Sequence, residues 1–231
     1  MACLACTVIF VAFLEGGRLS LTRSAFHSPR RFQQTQIPDA CLGCALKSAY
    51  TIMKAIGGKM MIFNSTLPSL GDGQLKPREN PRIMGTPEEF KLLKPETTWY
   101  KDTAVEFSRA QIAVDLFLFP QSFTDVASLG ELPKQTSGTL HTYPSFNYET
   151  DGERFGSELD RVLTRRTVFE TVMRVRVTRG MRISNFYGNF FIRGADLLAL
   201  PNCTEESAFG FDIQHDEPML CTSVITIQSG E

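Results

Sequence analysis

The chain has 231 residues, 42% hydrophobic and 21% charged, enough to bury one large core or two smaller ones. With 24 basic and 25 acidic residues its formal charge is -1, which excludes a global field drawing it to nucleic acid and leaves electrostatic function to local clusters. Six cysteines are too few for a disulfide scaffold at this length, and their irregular spacing favours reduced thiols in a cytosolic compartment.

The chain opens on an unbroken apolar run, CLACTVIFVAFL from Cys3 to Leu14, too short to span a bilayer. It has the length of a signal-peptide core but lacks a basic flank and a small-x-small cleavage site. Three readings stand: a buried strand, a weak targeting segment, or a mis-assigned start. The next stretch, RLSLTRSAFHSPRRF, is basic and aperiodic and reads as linker or disorder. Residues 1–32 are therefore unassigned.

Pro38-Asp39 offers a helix start, and Leu42, Ala45, Leu46, Ala49, Ile52, Met53 and Ile56 recur at helical spacing until Gly57-Gly58. Lys59 to Thr66 is a short apolar run that reads as a strand buried on both faces. Residues 68–97, rich in proline, glycine and charge, predict a long surface loop. Thr97-Thr98 caps a predicted helix through Arg109, and IAVDLFLF from Ile112 to Phe119 is the strongest strand signal in the chain. A short helix opened by Thr124-Asp125, a strand from Gly138 to Tyr143 and a helix from Glu153 to Arg166 continue the alternation. Strands alternating with helices predict an α/β unit with a parallel or mixed sheet covered on both faces.

After residue 167 the pattern changes to period two. Val172 to Val177 alternates, Thr178-Arg179-Gly180 is a turn and Met181 to Asn185 alternates again, which predicts a hairpin with one wet face. Phe186 to Ile192 and Ser223 to Ile227 read as further strands. An antiparallel domain therefore begins near residue 168.

Two Cys-x-x-Cys pairs, Cys3/Cys6 and Cys41/Cys44, raise the question of a zinc ribbon. Ribbon pairs lie on turns about 15–20 residues apart. Here the separation is much larger, one pair lies in an apolar run, and the other falls in a predicted helix, about 60° apart on its wheel. Cys41 and Cys44 read as small packing residues, and no metal or cofactor is expected. The histidines, His27, His141 and His215, are scattered without a nucleophile motif. Gly71-Asp72-Gly73 lacks the spacing of a phosphate loop, and Pro77 and Pro81 forbid the helix that must follow. Asp115 within IAVDLFLF reads as a capping group rather than a metal ligand.

One cluster stands out. Arg174 and Arg176 share one face of their strand, and across the predicted hairpin Arg182 falls on the same face, giving a basic stripe with no interleaved acid. Guanidinium forks suit carboxylates. A merely solvated sheet face is the competing reading.

The runs ALKSAYTIMKAIGGKMMIFNSTLPSLG, YKDTAVEFSRAQIAVDLFLF, YPSFNYE and LTRRTVFETVMRVRVTRGMRISNFYGNFFIRGADLLALPN resemble, in order, the cargo-selecting subunit of the COPII vesicle coat over about residues 33–228. VDLFLF, VMRVR and FYGNFF look more like that paralogue than the GTPase-activating one. The resemblance implies an incomplete von Willebrand factor A-like trunk domain over residues 33–167, then part of an antiparallel β-sandwich over 168–231. It implies a heterodimer with the GTPase-activating paralogous coat subunit through the trunk, and peripheral contact with the endoplasmic reticulum membrane and COPII vesicles. It also implies recognition of acidic export signals of membrane cargo, with Arg174 and Arg176 matching the arginines of the pocket strand. Catalysis and nucleic-acid binding are not implied; the location is cytoplasmic. Family members also carry a zinc finger and a disordered region before the trunk, and helical and gelsolin-like domains after the sandwich. None of these is matched, so the sequence reads as a member truncated at both ends.

The alternative is a secreted or cell-surface adhesion-type A domain, for which the Asn-x-Ser/Thr sequons at Asn64 and Asn202 would be glycosylated. A hydrolase or nucleotide enzyme would require a motif that is absent.

Overall fold

The computed structural model describes residues 8–15, 18–22, 39–78, 82–194, 196–216 and 226–230. Strands β1 (Val8–Glu15) and β2 (Arg18–Thr22) are followed by α1 (Leu42–Met53), β3 (Gly58–Asn64), α2 (Trp99–Arg109) and β4 (Ile112–Leu118). Short helices α3 (Val126–Leu129) and α4 (Glu131–Gln135) precede β5 (Leu140–Thr142), and α5 (Tyr148–Thr164) closes this unit. The sheet runs β2-β1-β3-β4-β5, with β3, β4 and β5 parallel and β1 antiparallel to both neighbours. It is the mixed sheet the alternation predicts.

Every residue of β4 is buried because helices cover both faces of this central strand. One face places Met60, Ile62, Val114 and Leu116 against Leu42, Leu46 and Met53 of α1 and Tyr100 and Phe107 of α2. The other places Met61 and Phe117 against Val162, Phe155 and Leu159 of α5. Charge also enters that second face: Lys59 and Asp115, both buried, pair at 2.6 Å.

Several boundaries depart from the sequence reading. The apolar start contains a strand, β1, whose backbone pairs with β3. Arg18–Thr22, expected as linker, is an edge strand pairing with β1; ladder bonds are made by the backbone, so the edge forms without apolar periodicity. Helix α1 begins later than Pro38-Asp39 and stops at Met53, where Gly57 adopts φ 73° and donates its amide to the Met53 carbonyl. Ile56 therefore lies beyond the helix, and Ile52 and Ile56 are exposed. Among the described residues of 68–97 a single 3-10 turn, Glu89–Leu93, forms, and the segment is anchored by buried Leu75 and by Arg78, 2.7 Å from Asp125. Helix α5 starts earlier than Glu153 because Asn147 caps it, accepting from the Glu149 amide while Asp151 accepts from the Asn147 amide.

The second half is antiparallel: β6 (Thr167–Val177), β7 (Met181–Tyr187), β8 (Phe191–Arg193), β9 (Leu197–Thr204), β10 (Gly210–His215) and β11 (Ile227–Gly230). They form two sheets, β11-β6-β9-β8 and β10-β7. The expected β6–β7 hairpin is overturned. β6 pairs with β9 and β11, β7 pairs with β10, and Thr178-Arg179-Gly180 crosses from one sheet to the other. Met173, Leu198 and Leu200 from the larger sheet meet Phe186 and Phe211 from the smaller one, so the apolar faces pack across a sandwich. Alternation serves a strand facing a sheet as well as one beside a neighbour, and period two alone does not distinguish them. Strands β9 and β10 escaped the sequence reading; Pro201 inside β9 argues against a strand, yet it falls, with Glu170, between the Phe169–Asn202 and Thr171–Leu200 pairs, where the Glu170 φ of 57° interrupts the ladder. Residues 223–225 of the predicted last strand lie outside the described residues.

Candidate functional site

Arg174 and Arg176 are exposed on one side of β6, while Val175 between them is buried in the sandwich. Antiparallel registry carries this outer face across the sheet. Arg176 stands opposite Gln228 of β11, Arg174 stands between Gly230 of β11 and Leu197 of β9, and Leu197 stands opposite Arg193 of β8. Directly opposed residues share a face, so Arg176, Arg174 and Arg193 form one basic row. Arg174, Arg176, Gln228 and Gly230 line a shallow cleft of about 220 Å³. Gly230 presents no side chain, which leaves the two guanidinium groups open on that flank.

The row is not free of acid, as the strand alone suggests. Arg174 Nε lies 2.6 Å from Asp196 Oδ2, both partly exposed. Arg176 forms no ion pair among the described residues. Arg182 is not on this face: it lies on β7 in the smaller sheet, 3.4 Å from Asp216. Its expected place followed from the hairpin and fails with it. Arg193 was missed because β8 is only three residues long and its run shows no clear period.

The other singled-out residues are structural. Cys41 is the residue before α1 and Cys44 lies in its first turn, so the pair straddles the helix start and only Cys44 is inside the helix. Their sulfurs converge on Gly71, where a β-carbon would lie 2.6 Å from Cys41 Sγ and 3.1 Å from Cys44 Sγ. The hydrogen bond that the Cys41 thiol donates to the Cys44 side chain, then burial, pushes the Cys41 thiol up. Cys3 and Cys6 lie outside the described residues, as does His27. His141 stacks on Phe117 at 4.8 Å between centroids and binds Glu158 at 3.1 Å. Asp115 accepts from the amide and hydroxyl of Thr139 at 2.8 Å each, in addition to pairing with Lys59. In the Gly71-Asp72-Gly73 turn, Asp72 pairs with Lys47 at 2.7 Å. Both sequon asparagines are buried in strands, Asn64 2% and Asn202 1% exposed, where no glycan fits.

Among the described residues no helix is long and apolar enough to cross a membrane.

The trunk domain model of Sec23/Sec24 matches residues 21–163, and the Sec23/Sec24 β-sandwich model matches residues 168–230. The protein transport protein SEC24 A of Arabidopsis thaliana is 39% identical over 201 residues, covering 87% of this chain and 19% of that protein. The protein transport protein Sec24A of Homo sapiens is 38% identical over 204 residues, with 87% and 19% covered. The chain thus spans about a fifth of the length of these relatives. The crystal structure of the human COPII-coat protein Sec24c superposes with a TM-score of 0.81 at 31% identity, over 87% of this chain and 28% of that one. Trunk and β-sandwich follow one another here in the order of those models, and the chain belongs to the Sec23/Sec24 family.

Proposed function

We propose that this chain is the cargo-recognising part of a COPII coat subunit, without catalytic activity, and that acidic export signals bind along the Arg174/Arg176 face. The observation that carries the reading is the pair of adjacent exposed guanidinium groups beside the side-chain-free Gly230. Such forks match carboxylates in geometry and charge. The names of the relatives, protein transport proteins and a COPII-coat protein, support the coat role. Within it, residues 33–167 act as a trunk that pairs with the GTPase-activating paralogous subunit, and residues 168–231 belong to the β-sandwich. The working location is the cytoplasmic face of the endoplasmic reticulum membrane and its vesicles, held by peripheral contact. The burial of Asn64 and Asn202 disfavours the adhesion-domain alternative.

The test is titration of the full chain with a labelled peptide bearing Asp-x-Glu. Arg174→Ala with Arg176→Ala is expected to weaken binding about tenfold and to flatten its salt dependence. Arg182→Ala is expected to leave it unchanged. Undiminished binding by the double variant overturns the site.

A further inference from the structure

Cys41 and Cys44 pack the start of α1, and that packing brings two thiols together. Cys41 is the N-cap residue and Cys44 the third residue of the helix, positions whose side chains reach toward one another across a helix start. Beneath them lies Gly71, where a β-carbon would sit 2.6 Å from Cys41 Sγ and 3.1 Å from Cys44 Sγ, so both sulfurs occupy the space over one glycine. The Cys41 thiol donates a hydrogen bond to the Cys44 side chain. Cys44 is exposed, Cys41 is half-buried, and both are free thiols.

The helix start is also tied to the loop that follows β3. Ala40, next to Cys41, accepts from the amides of Ser69 and Leu70 at 3.1 Å each, and Ser69 Oγ donates to Asp39 at 2.6 Å. Gly43 lies so close to this loop that a β-carbon on it would meet the Asp72 carbonyl oxygen at 1.9 Å. The loop continues to Gly73, which lies against the ring of Trp99 and whose carbonyl accepts from the Tyr100 hydroxyl at 2.6 Å. Movement at Cys41 therefore reaches Trp99, the single tryptophan of the chain, through Ala40 and residues 69–73.

We propose that Cys41 and Cys44 are a thiol–disulfide exchange site, which closes a reversible internal disulfide by reaction with a small-molecule disulfide of the glutathione class. Exposed Cys44 loses its proton to solvent and its sulfur attacks one sulfur of the oxidant; the oxidant's S–S bond breaks, and one glutathione leaves as a thiolate and takes up a proton. Cys41 then loses its proton to solvent and attacks the Cys44 sulfur of the mixed disulfide, displacing the second glutathione, which is protonated in turn. Two protein thiols are oxidised and one disulfide is reduced to two thiols. The hydrogen bond and then burial hold the Cys41 thiol up, so Cys41 keeps its proton while Cys44 reacts first. β-Carbons three positions apart on a helix are about 5–6 Å apart, whereas a disulfide needs about 3.5–4.5 Å. Closure therefore draws Cys41 inward, which its non-helical φ of -113° and ψ of 69° permit. Cys-x-x-Cys pairs at helix starts are reactive, and a disulfide in a reducing compartment is transient and redox-sensing.

The experiment equilibrates the full chain, without air, in glutathione buffers of rising disulfide content and blocks the remaining thiols with iodoacetamide. Mass spectrometry then follows the tryptic peptide from Phe32 to Lys47, which contains Cys41 and Cys44 and no other cysteine. Wild type is expected to pass from two alkylated thiols to an internal disulfide, and to return with dithiothreitol. Cys41→Ser should instead trap glutathione on Cys44, at about ten times the wild-type level, because the resolving thiol is gone. Cys44→Ser should react with the glutathione disulfide about tenfold more slowly than wild type. Trp99 fluorescence should follow the disulfide in wild type and stay constant in Cys44→Ser; circular dichroism establishes that both variants fold. A peptide that remains a dithiol at every ratio, or that collects the glutathione adduct in wild type as readily as in Cys41→Ser, overturns the site. A disulfide that forms without changing Trp99 overturns the link to the loop.

Discussion

Lys59 Nζ sits 2.6 Å from Asp115 Oδ2 in the face of the sheet covered by α5, and both side chains are sealed from solvent. Adjacent parallel strands set Asp115 beside Met61, two residues from Lys59 on the same face. The carboxylate also accepts twice from Thr139, and Arg165 approaches to 4.0 Å. Removing one partner of such a pair leaves an uncompensated charge and costs about 3–5 kcal/mol.

Asp115→Leu is therefore expected to be severely destabilising, because it strands Lys59, whose other contact is the Val162 carbonyl at 3.5 Å. Lys59→Met should cost less, since Asp115 keeps Thr139 and the nearby Arg165. The double variant should recover a substantial part of the Asp115→Leu loss. Urea unfolding of all four proteins forms a double-mutant cycle, and strictly additive losses would refute the coupling.

The contact of Arg174 with Asp196 makes a second prediction. An internal carboxylate already occupies the fork that the proposed ligand needs, so ligand and Asp196 compete. Asp196→Asn should raise affinity for a labelled acidic peptide about two- to fivefold at low salt, the range of one exposed ion pair. The gain should shrink as salt is added. Unchanged or weakened binding in fluorescence titrations would show that Arg174 works through Asp196 instead of in competition with it.

How far the sequence exposed this arrangement depends on which interactions are local. Met60, Ile62, Val114 and Leu116 announce a doubly covered sheet because burial on both faces demands unbroken apolar runs. Arg174 and Arg176 are legible because two-residue spacing puts them on one face whatever the strand pairs with. Arg182 is misplaced because its location depends on pairing partners far along the chain. Arg193 and Arg109 are legible in neither way: they border one cleft through the docking of the two halves, and no periodicity in either segment encodes it.

Acid sensitivity is expected at Glu158. The Tyr143 hydroxyl holds this carboxyl below its usual range, with Arg154 and His141 assisting and partial burial opposing. A carboxyl lowered by folding contributes stability that is fully present above its unfolded value, about 4.3, and lost as pH falls through the lower folded value. Glu158→Gln should therefore be less stable than wild type at neutral pH and approach it as the pH falls below about 4. Urea midpoints at pH 7 and pH 3 measure the difference; a gap that does not narrow would assign the variant's loss to packing.

Glu170 and Pro201 fall between the Phe169–Asn202 and Thr171–Leu200 pairs of the β6–β9 ladder, and the φ of Glu170 is 57°. Proline lacks an amide hydrogen, so that position on β9 has no donor to offer, and the ladder resumes at Thr171 and Leu200. Left-handed backbone costs a side-chain-bearing residue about 1 kcal/mol, and a β-branched one more. Glu170 is exposed, so its side chain adds little that replacement would lose. Glu170→Gly is expected to be neutral to slightly stabilising, strain relief being offset by the greater freedom of glycine in the unfolded chain. Glu170→Val should destabilise by about 1–2 kcal/mol despite the strand preference of valine. Thermal unfolding of the two variants separates backbone strain from strand propensity, because propensity alone predicts the opposite order.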